Sequence, residues 1–254
     1  VNLHFRAEGK GKTIVLIHGL FGSADNLGLL ARELKHHYQV ISVDLRNHGL
    51  SPHSDQFSYA DLAQDIIETL DHLAIDQFDV IGHSMGGKVA MTLASRVPAR
   101  INHLIVIDIA PVTYTEHRHQ NVFNGLREVN LHSITKRSQA EDYLARYVDD
   151  AGVRQFLLKS LAKTDTGYQW RFNVKGLIAN YATIMGWQPA SQPFTGQTLF
   201  IKGQLSDYIE PQYRSEIMAQ FPHAKAHVVA NSGHWLHAEK PTTVNRIISQ
   251  FLEQ

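Results

Sequence analysis

Ser84 stands in Gly82-His83-Ser84-Met85-Gly86, a G-x-S-x-G pattern that follows an apolar run at 78–81 and opens a helical stretch beginning near Met85. A serine at so sharp a strand-to-helix turn presents its hydroxyl at a helix N-terminus. Backbone N–H groups and the helix dipole there favour a developing oxyanion, and the flanking glycines keep Cβ atoms out of the approach. The chemistry is nucleophilic catalysis, which needs a base because a hydroxyl is a poor nucleophile at neutral pH. On this kind of sheet the base follows the last strand and precedes the last helix. His234, in Asn231-Ser232-Gly233-His234-Trp235, holds that place. His237, three residues on, is expected to point outward from the following turn.

Two aspartates compete to orient the base. The acid usually follows the strand after the central insertion, at the third position past a Gly. In Lys202-Gly203-Gln204-Leu205-Ser206-Asp207 that place holds Ser206, and Asp207 comes one residue late. The other candidate, Asp108, interrupts the apolar run Ile105-Val106-Ile107-Asp108-Ile109. A carboxylate there is costly unless paired, and a protonated imidazole would be a fitting partner. Asp108 is preferred. Asp207 is the alternative, or else a turn residue capping the helix that begins near Pro211.

These groups need a frame. Residues 13–17, 40–43, 78–81, 104–109, 198–201 and 226–229 read as buried strands, being apolar, largely β-branched and too short for helices. Helical stretches at 26–35, 59–73, 85–96, 212–220 and 242–252 lie between or after them; in 59–73, Leu62, Ile66, Leu70 and Leu73 recur at three- and four-residue steps. Such alternation predicts an α/β fold, a mostly parallel sheet with helices on both faces. One region breaks the rhythm. From 113 to 193 no strand is expected, only helical segments at 122–129, 139–147, 152–161 and 174–181. About 80 residues is far beyond an ordinary crossover. The expectation is a core of residues 1–112 and 194–254 carrying an inserted helical cap of residues 113–193, set over the end of the sheet where it shapes access.

Composition narrows the function. The 254 residues include no cysteine, which excludes disulfides, a thiolate nucleophile, Fe–S clusters and Cys-ligated zinc. With 24 basic and 24 acidic side chains and a formal net charge of +0, nothing favours a nucleic-acid track or an anionic membrane surface. No apolar run is long enough to span a membrane. The start, Val1-Asn2-Leu3-His4-Phe5-Arg6, shows no basic-then-apolar leader, and a cytoplasmic protein is the expectation. The 16 histidines include His36-His37 and His117-Arg118-His119, but without H-E-x-x-H or a nearby carboxylate pair no metal site is expected, and no cofactor is implied.

With these residues in place, the chain resembles the α/β-hydrolase superfamily over essentially its whole length, and most of all the small bacterial YbfF-type esterases. The stretches that carry the resemblance are Leu16-Ile17-His18-Gly19-Leu20-Phe21-Gly22-Ser23 and Asp44-Leu45-Arg46-Asn47-His48-Gly49-Leu50-Ser51, then the Ser84 turn, Asp108-Ile109-Ala110-Pro111, and Ser232-Gly233-His234-Trp235. The resemblance implies Ser84 as nucleophile and His234 as general base and later acid. It implies the amides of Met85 and Leu20 as oxyanion donors, and the Asp of Asp-Ile-Ala-Pro, Asp108, as the third member.

The expected reaction is hydrolysis of a small-molecule carboxylic ester through an acyl-enzyme. Haloalkane dehalogenases and epoxide hydrolases, which look similar, need a carboxylate where Ser84 stands. An acyl-CoA thioesterase is an alternative, with Arg118, Arg127, Lys136 and Arg137 of the cap available to phosphates. A small-molecule binding protein that lost turnover is another. Chain length of the acyl group, leaving group and oligomeric state are not readable from these residues.

Overall fold

The computed structural model describes residues 1–254. Nine strands form: β1 (Phe5–Glu8), β2 (Thr13–Ile17), β3 (Gln39–Val43), β4 (Phe78–His83), β5 (Ile101–Ile107), β6 (Leu161–Thr164), β7 (Gly167–Trp170), β8 (Gln197–Gly203) and β9 (Ala224–Val229). The helices are α1 (Gly28–Leu34), α2 (Tyr59–His72), α3 (Met85–Arg96), α4 (Gln120–Glu128), α5 (Arg137–Leu144), α6 (Ala151–Leu158), α7 (Val174–Ala179), α8 (Tyr181–Met185), α9 (Arg214–Gln220), α10 (Leu236–Glu239) and α11 (Pro241–Leu252).

Seven strands make one sheet in the order β1-β3-β2-β4-β5-β8-β9. All neighbours are parallel except β1 with β3, where Phe5 faces Val43 and Glu8 faces Val40. The expected α/β architecture is what forms. Its interior strands are buried on both faces, and the period of two divides each strand between two layers. Val15 and Ile17 of β2 pack with α2 and α3, whereas Ile14 and Leu16 pack with α1 and α11.

The antiparallel edge strand β1 was not expected. Its sequence, Phe-Arg-Ala-Glu, carries little apolar signal because none of its side chains is fully buried on either face. Strand β5 stops at Ile107, two residues before the expected end, because Asp108 takes φ +55° and leaves the extended region.

Between β5 and β8 lie α4 to α8 together with the two-stranded hairpin β6–β7, a correction to the strand-free expectation for residues 113–193. The hairpin turns at Asp165-Thr166, and Gly167 at φ +144° makes the turn possible. Helix α6 accordingly ends at Leu158 rather than running to 161. The expected single helix at 174–181 is two, broken where the Asn180 side chain takes up the Gly176 carbonyl at 2.8 Å. Apolar side chains of this segment (Phe123, Leu126, Leu144, Leu157, Phe172) share one continuous cluster with α2, α3 and one face of the sheet, bridged by Phe21 and Tyr114.

Candidate active site

Ser84 is the single residue between β4 and α3, at φ +55° and ψ −123°. A non-glycine residue there is strained by about 1–3 kcal/mol and persists only because its surroundings fix it. The fixing is visible. The Ser84 amide donates to the Ile107 carbonyl of β5 at 2.9 Å. A Cβ at Gly86 would lie 2.3 Å from the Ile17 carbonyl oxygen, and one at Gly82 2.1 Å from that of Gly86. Only glycine lets the turn press so closely on β2.

The structure brings Ser84, His234 and Asp108 together and leaves Asp207 apart. Ser84 Oγ is 2.9 Å from His234 Nε2, and His234 Nδ1 is 2.7 Å from Asp108 Oδ2. A carboxylate can only accept, so the ring proton sits on Nδ1 and leaves Nε2 free to take the serine proton. Asp108 has no solvent exposure, and each oxygen is satisfied. Oδ1 accepts the Gly203 amide at 3.0 Å, and Oδ2 accepts the Ser206 hydroxyl as well as His234. Ser206, at the place where an acid was expected, thus donates to Asp108. Asp207 is exposed and pairs with Arg118 at 2.6 Å, and it caps no helix, since Glu210 precedes the turn at Pro211.

The loop bearing Leu20 lies against Ser84, a Cβ on Gly19 falling 3.2 Å from Ser84 Cβ. The Leu20 amide donates to no other backbone group, and Met85 is the first residue of α3, where a helix leaves its amides without an internal partner. Two buried histidines hold this loop. His18 Nδ1–H donates to the Gly19 carbonyl at 2.7 Å while its Nε2 accepts the Leu45 amide at 3.0 Å. His48 Nε2 accepts the Phe21 amide at 3.1 Å and its Nδ1–H donates to the Arg46 carbonyl at 2.9 Å. Both bonding patterns need a neutral ring. Burial lowers His18 and, with His18 beside it, brings His48 down to about 3.

Further aromatic and cationic groups close the site. Tyr208 stacks on His234 at 4.0 Å between ring centroids. His83 Nε2–H donates to the His234 carbonyl at 2.8 Å, and burial with His237 and His234 nearby keeps His83 neutral. His237 does not point outward as expected. It is buried, 4.3 Å from the His83 ring, and burial lowers it to about 3. Lys88, one turn along α3 from Ser84, is buried and donates to the Met185 and Gly186 carbonyls at 3.1 and 2.8 Å. Burial brings its pKa down to about 7.

Ser84 opens onto two hollows. The larger, about 200 Å³, also reaches His234, Arg118, Phe156 and Trp235, so both the core and the 113–193 segment wall it. The smaller, about 20 Å³, runs the other way toward Met85, Lys88, Ile109 and Met185. A roomier hollow of about 610 Å³ lies at the amino ends of the strands and contains no serine. Of the four cations expected on the segment, Arg118 alone lines the cavity at Ser84; Arg137 instead donates to the Leu158 and Leu161 carbonyls. Among the paired histidines of the sequence, His117 stacks on Tyr181 at 4.3 Å.

Sequence reasoning missed the supporting residues His18, His48, Tyr208 and Lys88. Lys88 alone left a local signal, as the one charge in the otherwise small and apolar Met85–Ala94 face of α3.

Comparison with known proteins agrees with this fold. The alpha/beta hydrolase family pattern matches residues 14–247. The chain belongs to the α/β-hydrolase family. This hydrolase is 46% identical to the esterase YbfF of Escherichia coli (strain K12), over 94% of its own length and 92% of that protein. It is 38% identical to the sn-1-specific diacylglycerol lipase ABHD11 of Mus musculus, over 94% and 80% of the two chains. A solved marine microorganism esterase superposes with a TM-score of 0.96 at 36% identity, covering 98% of this hydrolase and 99% of that chain. Within the family this hydrolase stands with the YbfF-type esterases, as a carboxylesterase-type enzyme. No helix in it is long and apolar enough to cross a membrane.

Proposed function

We propose that this hydrolase cleaves small carboxylic esters through an acyl-enzyme on Ser84. The observation that carries the reading is the continuous relay from Ser84 Oγ through His234 to Asp108, with separations of 2.9 and 2.7 Å. His234 Nε2 takes the serine proton as Oγ attacks the carbonyl carbon. Asp108 holds the ring in the required tautomer and stabilises the imidazolium that forms. The amides of Leu20 and Met85 receive the oxyanion, a contribution on the order of 3 kcal/mol per donor. His234 then returns the proton to the leaving oxygen, and water repeats the attack with the same base.

The two hollows assign the substrate's ends. The leaving oxygen must receive a proton from His234, and only the larger hollow reaches His234. The alcohol therefore occupies the larger hollow and the acyl group the smaller one, which favours short acyl chains. Residues 113–193 act as the cap that walls the alcohol side.

Ser84→Ala is the direct test. Turnover of p-nitrophenyl acetate should fall by about 10⁶-fold, as expected when the nucleophile of such a relay is lost. The native protein should be labelled at Ser84 by a fluorophosphonate. Retained turnover in the variant would sink the reading, and a native protein inert to the probe would favour a binding role. Parallel assays with acetyl-CoA distinguish an ester from a thioester preference.

A further inference from the structure

Four residues line both hollows: Leu20, Ser84, His119 and Tyr208. They ring the point where the two cavities meet, which is where a reacting carbonyl has to sit. Three are accounted for as nucleophile, oxyanion donor and the ring stacked on His234. His119 is not.

His119 immediately precedes α4 and is half-buried. Its Nδ1 is 2.7 Å from Tyr181 Oη, an oxygen that already accepts the Arg118 amide at 3.1 Å. With the Arg118 amide on that oxygen, donation of the one Tyr181 hydroxyl hydrogen to His119 Nδ1 satisfies both groups, and this arrangement puts the imidazole proton on Nε2. His119 lines both hollows and Tyr181 lines neither, so the ring edge away from Tyr181, which carries Nε2, is the one available to a bound carbonyl.

We propose that His119 is a substrate-contacting donor whose Nε2–H bonds the oxygen of the reacting carbonyl as the tetrahedral intermediate forms, beside the amides of Leu20 and Met85. This rests on the ester-hydrolysis reading above. Burial, aided by His234, His117 and Arg118 nearby, lowers the His119 pKa to about 4, so the ring is neutral at working pH. The neutral form is the useful one. A second imidazolium would oppose the positive charge that His234 acquires in the same step, whereas a neutral N–H stabilises the oxyanion without that repulsion.

Steady-state kinetics with p-nitrophenyl acetate test the proposal. His119→Phe keeps a ring to pack against Phe21 and Phe123 but removes the donor. It should lower kcat by about 10²-fold, the usual loss for one oxyanion donor, with KM within about twofold and the melting temperature unchanged. His119→Gln, which restores an N–H, should recover part of kcat. Tyr181→Phe, which frees the tautomer, should give an intermediate loss and decides the matter by the same split if His119→Phe does not fold. An unchanged kcat, or a loss confined to KM, overturns the donor role while leaving Ser84-dependent turnover of the native protein intact. Absence of that turnover overturns both readings.

Discussion

Asp108 is a carboxylate with no solvent around it, and it is tolerable because both of its oxygens are hydrogen-bonded. The Gly203 amide, the Ser206 hydroxyl and the His234 ring replace the water it gave up. The same bonds define what its replacement should do. Asp108→Asn presents an N–H toward His234 Nδ1, selects the wrong tautomer and should lower kcat about 10⁴-fold. Asp207→Asn removes only an exposed ion pair with Arg118, worth about 0–1 kcal/mol, and kcat should stay within roughly threefold. Stopped-flow or steady-state turnover of both variants on one ester checks the pair. A large loss in the second with none in the first would reassign the acid.

At the scale of elements, the Leu20 loop is held in place by the turn at 44–51. His18 and His48 tie the two together, and Asn47 extends the bracing to the 113–193 segment. Asn47 is fully buried at φ +66°, a conformation that asparagine tolerates better than most residues. Its side chain brackets Ser54 at 2.8 and 3.0 Å, and its carbonyl accepts the Asn173 amide at 2.9 Å. Asn47→Ala should destabilise the protein by about 2–3 kcal/mol, combining left-handed strain with lost buried hydrogen bonds. Asn47→Gly loses the same side-chain bonds without the strain and should fall less. Melting temperatures of the two variants separate the contributions, and equal losses would show that the backbone conformation costs nothing.

For the molecule as a whole, residues 113–193 share one apolar cluster with α2, α3 and one face of the sheet, so they form no separately cored unit. Several histidines are locked neutral within this body. His48 and His237 titrate near 3 in the folded protein against an ordinary value of 6.5, because burial penalises their charged forms. Below 6.5 the unfolded chain therefore binds protons that the folded chain refuses, and stability must fall as pH falls. By about pH 5 each such group removes roughly 2 kcal/mol. Calorimetry from neutral to mildly acid pH should show a steadily declining melting temperature. His237→Phe should flatten part of the slope, and a melting temperature independent of pH through this window would refute the neutral assignment.

The α/β alternation, the place of Ser84 and the place of His234 are all written in short stretches of sequence, because a strand, a tight turn and a helix each follow from a few neighbouring residues. Those features were legible. The hairpin at 161–170 was not, since its four-residue strands carry little apolar pattern and pair only with each other. The outward reading of His237 failed because its burial comes from His83, far away in the chain. Local pattern preferred Asp108 to Asp207, through its place in an apolar run, without showing which of them meets the ring. Hydrogen bonding is decided by ångströms between atoms, and the imidazole that selects Asp108 arrives from 126 positions along the chain, through the parallel alignment of β5 and β8 and the loop after β9. Local chemistry named the actors; the packing of distant strands decided which of them touch.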